Sequence, residues 1–379
     1  MQQAQETPLG LVLPGGGARA AYQAGVLKAV AGIAPAGPLP FTVVSGQSAG
    51  AINAASLACR AGDFRKAANH MVTAWSRLSV SDVIRVDAAS LAISALRWTA
   101  LAATGGWLGA NPRSLLDNAP LADLLAREID FDGIVAAIAQ GKLTALAINT
   151  SSYSSASGHA VSFFAGLDKR DEWQRERRCG VNRAIGPEHI MASTALPFLF
   201  PAQNIEGHYY GDGALRLSAP LSPAIRLGAR RLLVVAVRDP EVNTPEEPAG
   251  TDYPRLGELV GHMLDIVFND HLDSDIERLE RINATLAIMS GQQAARTGLN
   301  PLEVLVVRPS TDLRSIAGRH AQRLPWTLKT LLRGIGGWGG DWRLPSYLNF
   351  DAAYCRELIE LGYRDAMNRA DDIRHLLRS

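Results

Sequence analysis

One serine stands between two glycines in "FTVVSGQSAGAINAA": Gly46, Ser48 and Gly50 form a Gly-x-Ser-x-Gly pattern directly after an apolar run. Small residues on either side allow a sharp strand-to-helix turn that presents a hydroxyl at a helix N-terminus. An ordinary strand-to-helix turn has the same composition, so the surroundings must decide between nucleophile and turn. A serine hydroxyl attacks only when a neighbouring base accepts its proton. Asp212, between Gly211 and Gly213 in "YYGDGALRLSAPLSPAI", offers a carboxylate on a tight, close-approach loop. An Asp-Gly turn joining two strands reads identically. His262, His271, His320 and His375 lie downstream of Asp212 and keep a Ser-His-Asp triad open. None of them has a motif around it, and Ser48 follows only the second recognisable strand, early for the hydrolase fold that carries such triads.

An acyl transfer also needs donors for the oxyanion. "LPGGGARAAYQAGVL" supplies Gly15, Gly16 and Gly17, whose N–H groups can converge on one oxygen, with Arg19 adding positive charge beside them. The competing reading is a dinucleotide loop, since Gly15, Gly17 and Ala20 fit G-x-G-x-x-A. That site wants an acidic residue at the end of the second strand, and none occurs between Glu6 and Asp63. No G-x-x-x-x-G-K-[ST] is present either, so nucleotide binding is not expected.

The elements that must position these residues follow a simple alternation. Residues 8–13 read as a short buried strand, and "ARAAYQAGVLKAVAGI" as the helix after the glycines. "FTVVSG" is a second strand, and "SAGAINAASLACRAG" a second helix closed by Gly62. Further strands are predicted within 142–152, 159–166, 230–237 and 303–310. Apolar strands separated by helices imply a largely parallel sheet covered on both faces, with sites at the carboxyl ends of its strands. Both glycine motifs fall at such ends. Residues 239–254, rich in Pro, Glu and Asp, read as an exposed loop leading into a helical C-terminal region. The charged run 169–178 reads as a solvated helix or loop face.

Composition narrows the class of partner. Lys and Arg total 38 against 37 Asp and Glu, a net charge of +1 that builds in no attraction to nucleic acid. Three scattered cysteines, Cys59, Cys179 and Cys355, form neither a disulfide framework nor a CxxC metal site, which suits a reducing compartment. The N-terminus lacks the basic and apolar regions of a signal peptide, and the apolar stretch 91–110 is interrupted by Arg97 and a Gly-Gly pair. A cytoplasmic protein without membrane spans is expected. Asp270, His271, Asp273 and Asp275 lie close in sequence but lack any metal-ligand spacing, so 269–283 reads as an exposed helix and no metal or other cofactor is expected.

Taken in order, "GGGARAAYQAGVLKAV", "GQSAGAINAA" and "YYGDGALRLSAPLSPAI" resemble the patatin-like phospholipase family, a likeness that covers most of residues 8–240. The resemblance implies a three-layer α/β/α fold with a mostly parallel central sheet and a Ser–Asp dyad in place of a triad. Ser48 would be the nucleophile, Asp212 the base, and Gly15, Gly16 and Gly17 with Arg19 the oxyanion loop. Gln47 stands where members often have threonine, beside the nucleophile, where it bears on substrate access more than on chemistry. The dyad requires a desolvated Asp212, because a free aspartate with a pKa near ~3.9 is a poor acceptor for a serine proton.

The expected organisation is a catalytic core over 8–240 and a mostly helical extension over 241–379 packed on it. The expected activity is hydrolysis of carboxylic esters of lipids, of phospholipase A or lysophospholipase type. The alternatives are a carboxylesterase for small soluble esters and a non-catalytic lipid-binding protein on the same fold. Two apolar segments, 88–112 with Trp98 and Trp107, and 324–350 with Trp326, Trp338, Trp342, Tyr347 and Phe350, are candidates for peripheral membrane contact, for a lid, or for core packing.

Overall fold

The computed structural model describes residues 7–105, 107, 112–154, 158–166, 172–238 and 253–378. Among the described residues ten strands form one sheet: β1 (Leu9–Leu13), β2 (Val43–Gln47), β3 (Ala145–Ser152), β4 (Ala160–Gly166), β5 (Trp173–Arg175), β6 (Arg178–Asn182), β7 (Gln203–Ile205), β8 (His208–Asp212), β9 (Arg231–Val235) and β10 (Glu303–Val307). The main path runs β10-β9-β1-β2-β3-β4-β6-β5. From β10 to β3 every neighbour is parallel, as continuous apolar strands with helical crossovers require. Antiparallel pairs gather beyond β3, where short turns replace the helices.

Two apolar clusters lie on opposite faces of the sheet and make the three layers. On one face pack α1 (Ala21–Ile33), α2 (Ala49–Ala58), α3 (Phe64–Arg77) and the late helix Ala352–Asn368, which lies along α1. The helices Ser222–Arg226 and His271–Ala287 cover the other face through Leu221, Ala224, Leu272, Ile276 and Leu279. The helix at 271–287 is therefore not the exposed one expected: Leu272, Ile276 and Leu279 share a buried stripe at helical spacing. Its acidic residues have partners other than a metal: Asp270 pairs with Arg238, Asp273 with Arg308, and Asp275 accepts from the Leu221 N–H.

The run 169–178 also differs from its expected form. Within its described part, β5 and the start of β6 make a hairpin whose turn uses Arg177 in the left-handed region, φ 63°. Trp173 stacks on Phe164 at 5.0 Å, and this contact ties a charged stretch down as sheet edge. Of 239–254, only the exposed Tyr253 and Pro254 are described. Among the described residues no helix is long and apolar enough to cross a membrane. Residues beyond 240 supply both the edge strand β10 and the helix on α1.

The two tryptophan-bearing segments separate in the structure. The helix Ala88–Thr104 buries none of its described side chains, leaves Ile93 and Leu96 exposed, and sends the Trp98 indole N–H to the Ser114 carbonyl. Trp107 is exposed, while residues 106 and 108–111 lie outside the described residues. In 324–350, Trp326 is exposed, Trp338 and Trp342 pack edge to face at 5.4 Å, and Tyr347 and Phe350 are buried.

Candidate active site

The main chain turns sharply at Ser48, with φ 51° and ψ −132°, a conformation that costs a non-glycine residue energy and is held by its surroundings. Glycine at both flanks is what lets the turn close. A Cβ on Gly46 would lie 2.4 Å from the Gly50 carbonyl oxygen, and one on Gly50 would lie 2.1 Å from that of Leu13. The Ser48 N–H donates to Ser193 Oγ at 2.9 Å, and that hydroxyl donates to the Asn149 carbonyl at 2.6 Å. Asn149 in turn donates to Ser45 Oγ and the Gly46 carbonyl, and accepts from Ser162. Ser48 caps α2, so its hydroxyl stands at the positive end of that helix.

β3 brings Asp212 to the serine. Gln47, the last residue of β2, is in register with Asn149; the next residue of β3, Thr150, is in register with Asp212 at the end of β8. Consecutive positions on one strand thus set the ends of β2 and β8 against each other. Asp212 is fully buried; one carboxylate oxygen accepts from the Ala214 N–H at 2.9 Å. Burial pushes its pKa up to about 7, against the lowering pull of the Ser48 hydroxyl and the Ala214 amide. That hydroxyl is near enough to act on the carboxylate, yet no hydrogen bond of full geometry joins them, and Oδ2 has no partner among the described residues.

The glycine loop abuts the serine directly. A Cβ on Gly15 would come within 2.9 Å of Ser48 Cβ, and Gly17 lines the same cavity as Ser48. Gly17 adopts φ 54°, and a Cβ there would meet the Tyr347 carbonyl oxygen at 2.4 Å. The N–H groups of Gly15, Gly16 and Gly17 meet no acceptor among the described residues, so they remain available to a ligand oxygen. The Arg19 side chain takes a different course. It is buried and spends its donors on Ser346, Asp265 and Tyr347, so what it holds is the loop's position.

A narrow cavity of about 80 Å³ is lined by Ser48. It follows one face of α2, past Ile52 and Ser56, which at 1.5 Å of rise per residue lies roughly 12 Å from the serine. Its walls are mostly apolar, and Glu128 is the one charged side chain among the described residues that line it. Among the described residues no lining residue is a histidine and none comes from 88–112, whereas Tyr347 and Phe350 of 324–350 both take part. His320 instead meets Glu357 at 2.6 Å, and His262 meets Arg343 at 3.2 Å.

The patatin-like phospholipase family model matches residues 11–225 of the chain. The chain belongs to the patatin-like phospholipase family. No curated protein matches it. Among solved structures, VipD from Legionella pneumophila aligns at 13% identity and a TM-score of 0.36, over 97% of this chain and 67% of that one. Human GIVD cytosolic phospholipase A2, in complex with methyl gamma-linolenyl fluorophosphonate, aligns at 13% identity and a TM-score of 0.41, over 99% and 60%. The chain thus spans about two thirds or less of the length of each.

Several residues of this patatin-like site carry no signal in the sequence. Ser193 and Asn149 brace the elbow through contacts across 145 and 103 residues. Tyr153, about half exposed, shares the Asp212 environment: partial burial first, then the charge of Asp212, pushes its hydroxyl up to about 12. Asp265, Ser346 and Tyr347 lie outside the matched range altogether.

Proposed function

We propose that this patatin-like chain is a serine acyl hydrolase that cleaves carboxylic esters of lipids through a Ser48–Asp212 dyad. The observation carrying the reading is Ser48 on a strained elbow lining an apolar cavity, with a desolvated carboxylate nearby across β3 and no histidine among the described residues that line the cavity. A carboxylate raised to about 7 accepts a serine proton far more readily than an ordinary one.

In this reading the acyl chain lies along α2 with its ester carbonyl at Ser48. Asp212 takes the hydroxyl proton as Ser48 Oγ bonds to the carbonyl carbon, and the oxyanion so formed accepts from the glycine amides, at the N-terminus of α2. Collapse of the tetrahedral species breaks the ester C–O bond, and the proton on Asp212 passes to the departing alcohol. Water, deprotonated by Asp212, then attacks the acyl-enzyme, releasing a carboxylic acid and restoring Ser48.

The apolar lining along α2 favours a lipid acyl chain as the occupant. Phospholipase A or lysophospholipase activity is the proposed type. Residues 8–240 carry the reacting groups, and 241–379 complete the cavity wall as part of the same unit. Membrane contact is proposed to be peripheral, through the exposed Trp326 and the exposed side chains of the helix at 88–104. A fluorophosphonate should label Ser48 alone, and Ser48→Ala should lose both labelling and hydrolysis of phospholipid. Full turnover by Ser48→Ala would reject the reading.

A further inference from the structure

Arg19 is a buried cation whose neutralisation comes from far along the chain. Its Nε and Nη2 donate to Ser346 Oγ at 2.9 and 2.7 Å, while its Nη1 donates to Tyr347 Oη at 3.0 Å and to Asp265 Oδ1 at 3.2 Å. The guanidinium lies 3.8 Å from the centre of the Tyr347 ring. Asp265 is also buried, and its second oxygen pairs with Arg343 Nε at 2.9 Å. Tyr347 donates its own hydroxyl to Asp265 Oδ1 at 2.5 Å, which leaves that carboxylate engaged on both oxygens.

The same stretch of chain touches the glycine loop twice more. After the helix Leu256–Asp265 the backbone widens into a single π-helical turn, Ile266–Asp270. Such a turn inserts a residue and re-aims side chains, and it is frequent at functional sites. Here it points Asp265, Phe268 and Asn269 inward together: Asn269 donates to the Asp265 carbonyl and to Tyr347 Oη, and Phe268 fills the space where a Gly15 Cβ would stand, 2.6 Å away. Arg19 is joined to the loop through its own N–H, which donates to the Gly16 carbonyl at 3.1 Å. Whatever fixes the guanidinium therefore fixes the loop.

We infer that Asp265 is a positioning residue for the proposed ester hydrolysis: by anchoring Arg19 it holds the Gly15–Gly17 amides where the oxyanion develops. The inference rests on the reading of Ser48 as the nucleophile. An amide array displaced by about an ångström loses on the order of a hundredfold in rate with little change in substrate binding. Asp265 never touches the substrate; it acts through Arg19.

The test uses the full chain and p-nitrophenyl butyrate, with a trifluoromethyl ketone as probe of the tetrahedral adduct. Asp265→Asn should lower kcat about a hundredfold at a KM changed by less than about threefold, and weaken the ketone by the same factor as kcat/KM. Arg19→Met with Asp265→Asn should be no slower than Arg19→Met alone, because both changes cut one chain of contacts. Ser346→Ala removes two bonds to Arg19 without leaving a buried charge unpaired, and should show the same split on a smaller scale, about tenfold. Undiminished kcat in both Asp265→Asn and Ser346→Ala would overturn the role of Asp265, as would losses that add in the double variant. Absence of ester turnover in the unmodified protein would instead overturn the reading of Ser48 itself.

Discussion

Two aspartates, both buried, end with opposite chemistry. Asp212 finds one backbone amide and the nearby Ser48 hydroxyl, and burial raises it to about 7. Asp265 suffers the same desolvation, but Arg19, Tyr347 and Arg343 outweigh it and hold its carboxyl below the ordinary carboxylate range. Burial alone does not decide whether a carboxylate becomes a base or a fixed ion; the counter-charges do. Near Ser48 the protein withholds them, and at the back of the glycine loop it supplies two arginines. The poorly compensated side thus holds a carboxylate suited to accepting a proton, at a cost in stability, while the well compensated side provides rigidity.

The largest effect expected from this contrast is at Asp212. Asp212→Asn should reduce hydrolysis by about 10⁴-fold or more, yet make the protein more stable at pH 8. A folded pKa of about 7 against an unfolded value of 3.8 means the native state must ionise a carboxylate that burial disfavours. That cost develops as pH rises from about 4 and is complete above about 7, on the order of 4 kcal/mol. Thermal melts at pH 4 and 8 should show the advantage of Asp212→Asn only at the higher pH. A lower melting temperature than the unmodified protein at pH 8 would break the comparison.

The second effect is a pH profile. If Asp212 in its ionised form is the base, kcat/KM for p-nitrophenyl butyrate should rise about tenfold per pH unit below about 7 and flatten above it. Asp265→Asn should lower the plateau without moving the inflection, because Asp265 stays ionised throughout that range. An inflection that moves with Asp265→Asn would make the two carboxylates one coupled unit.

How far the sequence exposes this contrast differs between the two sides. Ser48, Asp212 and the three glycines sit in short motifs whose flanking glycines are themselves sequence signals, so that half is readable, as is the alternation that builds β1, β2, α1 and α2. Asp265 has no motif; it reaches Arg19 across 246 residues, and nothing local distinguishes it from Asp270 or Asp273. The hairpin of β5 and β6 is hidden for a similar reason, since a charged run becomes sheet only through the Trp173–Phe164 stack. The tryptophans at 338 and 342 look interfacial by composition, yet they pack on one another. Long-range partners decide each of these cases.

A middling effect is expected at Arg19. Arg19→Ala leaves Asp265 with Arg343 and the Tyr347 hydroxyl but without its buried counter-charge, and should cost both kcat, by about ten- to a thousandfold, and about 3 kcal/mol of stability. Arg19→Lys keeps the charge but not the fork that reaches Ser346 and Asp265 together, so its kcat should fall between the other two. Kinetics and urea melts on the three proteins place them in order. A lysine variant equal to the unmodified enzyme would mean that charge alone is wanted there, and that the geometry of the anchor is immaterial.

The smallest effect isolates a single proton. Tyr347→Phe keeps the ring under the Arg19 guanidinium and its contact with Phe268 at 5.4 Å, and removes only the hydroxyl that donates to Asp265 and accepts from Arg19. A hydrogen bond to a charged group is worth about 1.5 to 3 kcal/mol, so the stability loss should be of that size at neutral pH, with kcat falling less than about tenfold. Because Asp265 is held below its ordinary value, the stability it contributes is complete above the unfolded carboxylate pKa and is lost as pH falls through the folded one. Tyr347→Phe weakens that contribution, so its deficit against the unmodified protein should be full at pH 7 and shrink as the solution is taken well below pH 4. Denaturant melts of both proteins at several pH values measure the deficit directly. A deficit independent of pH would mean that the hydroxyl serves packing alone and that Asp265 is held as an ion without it.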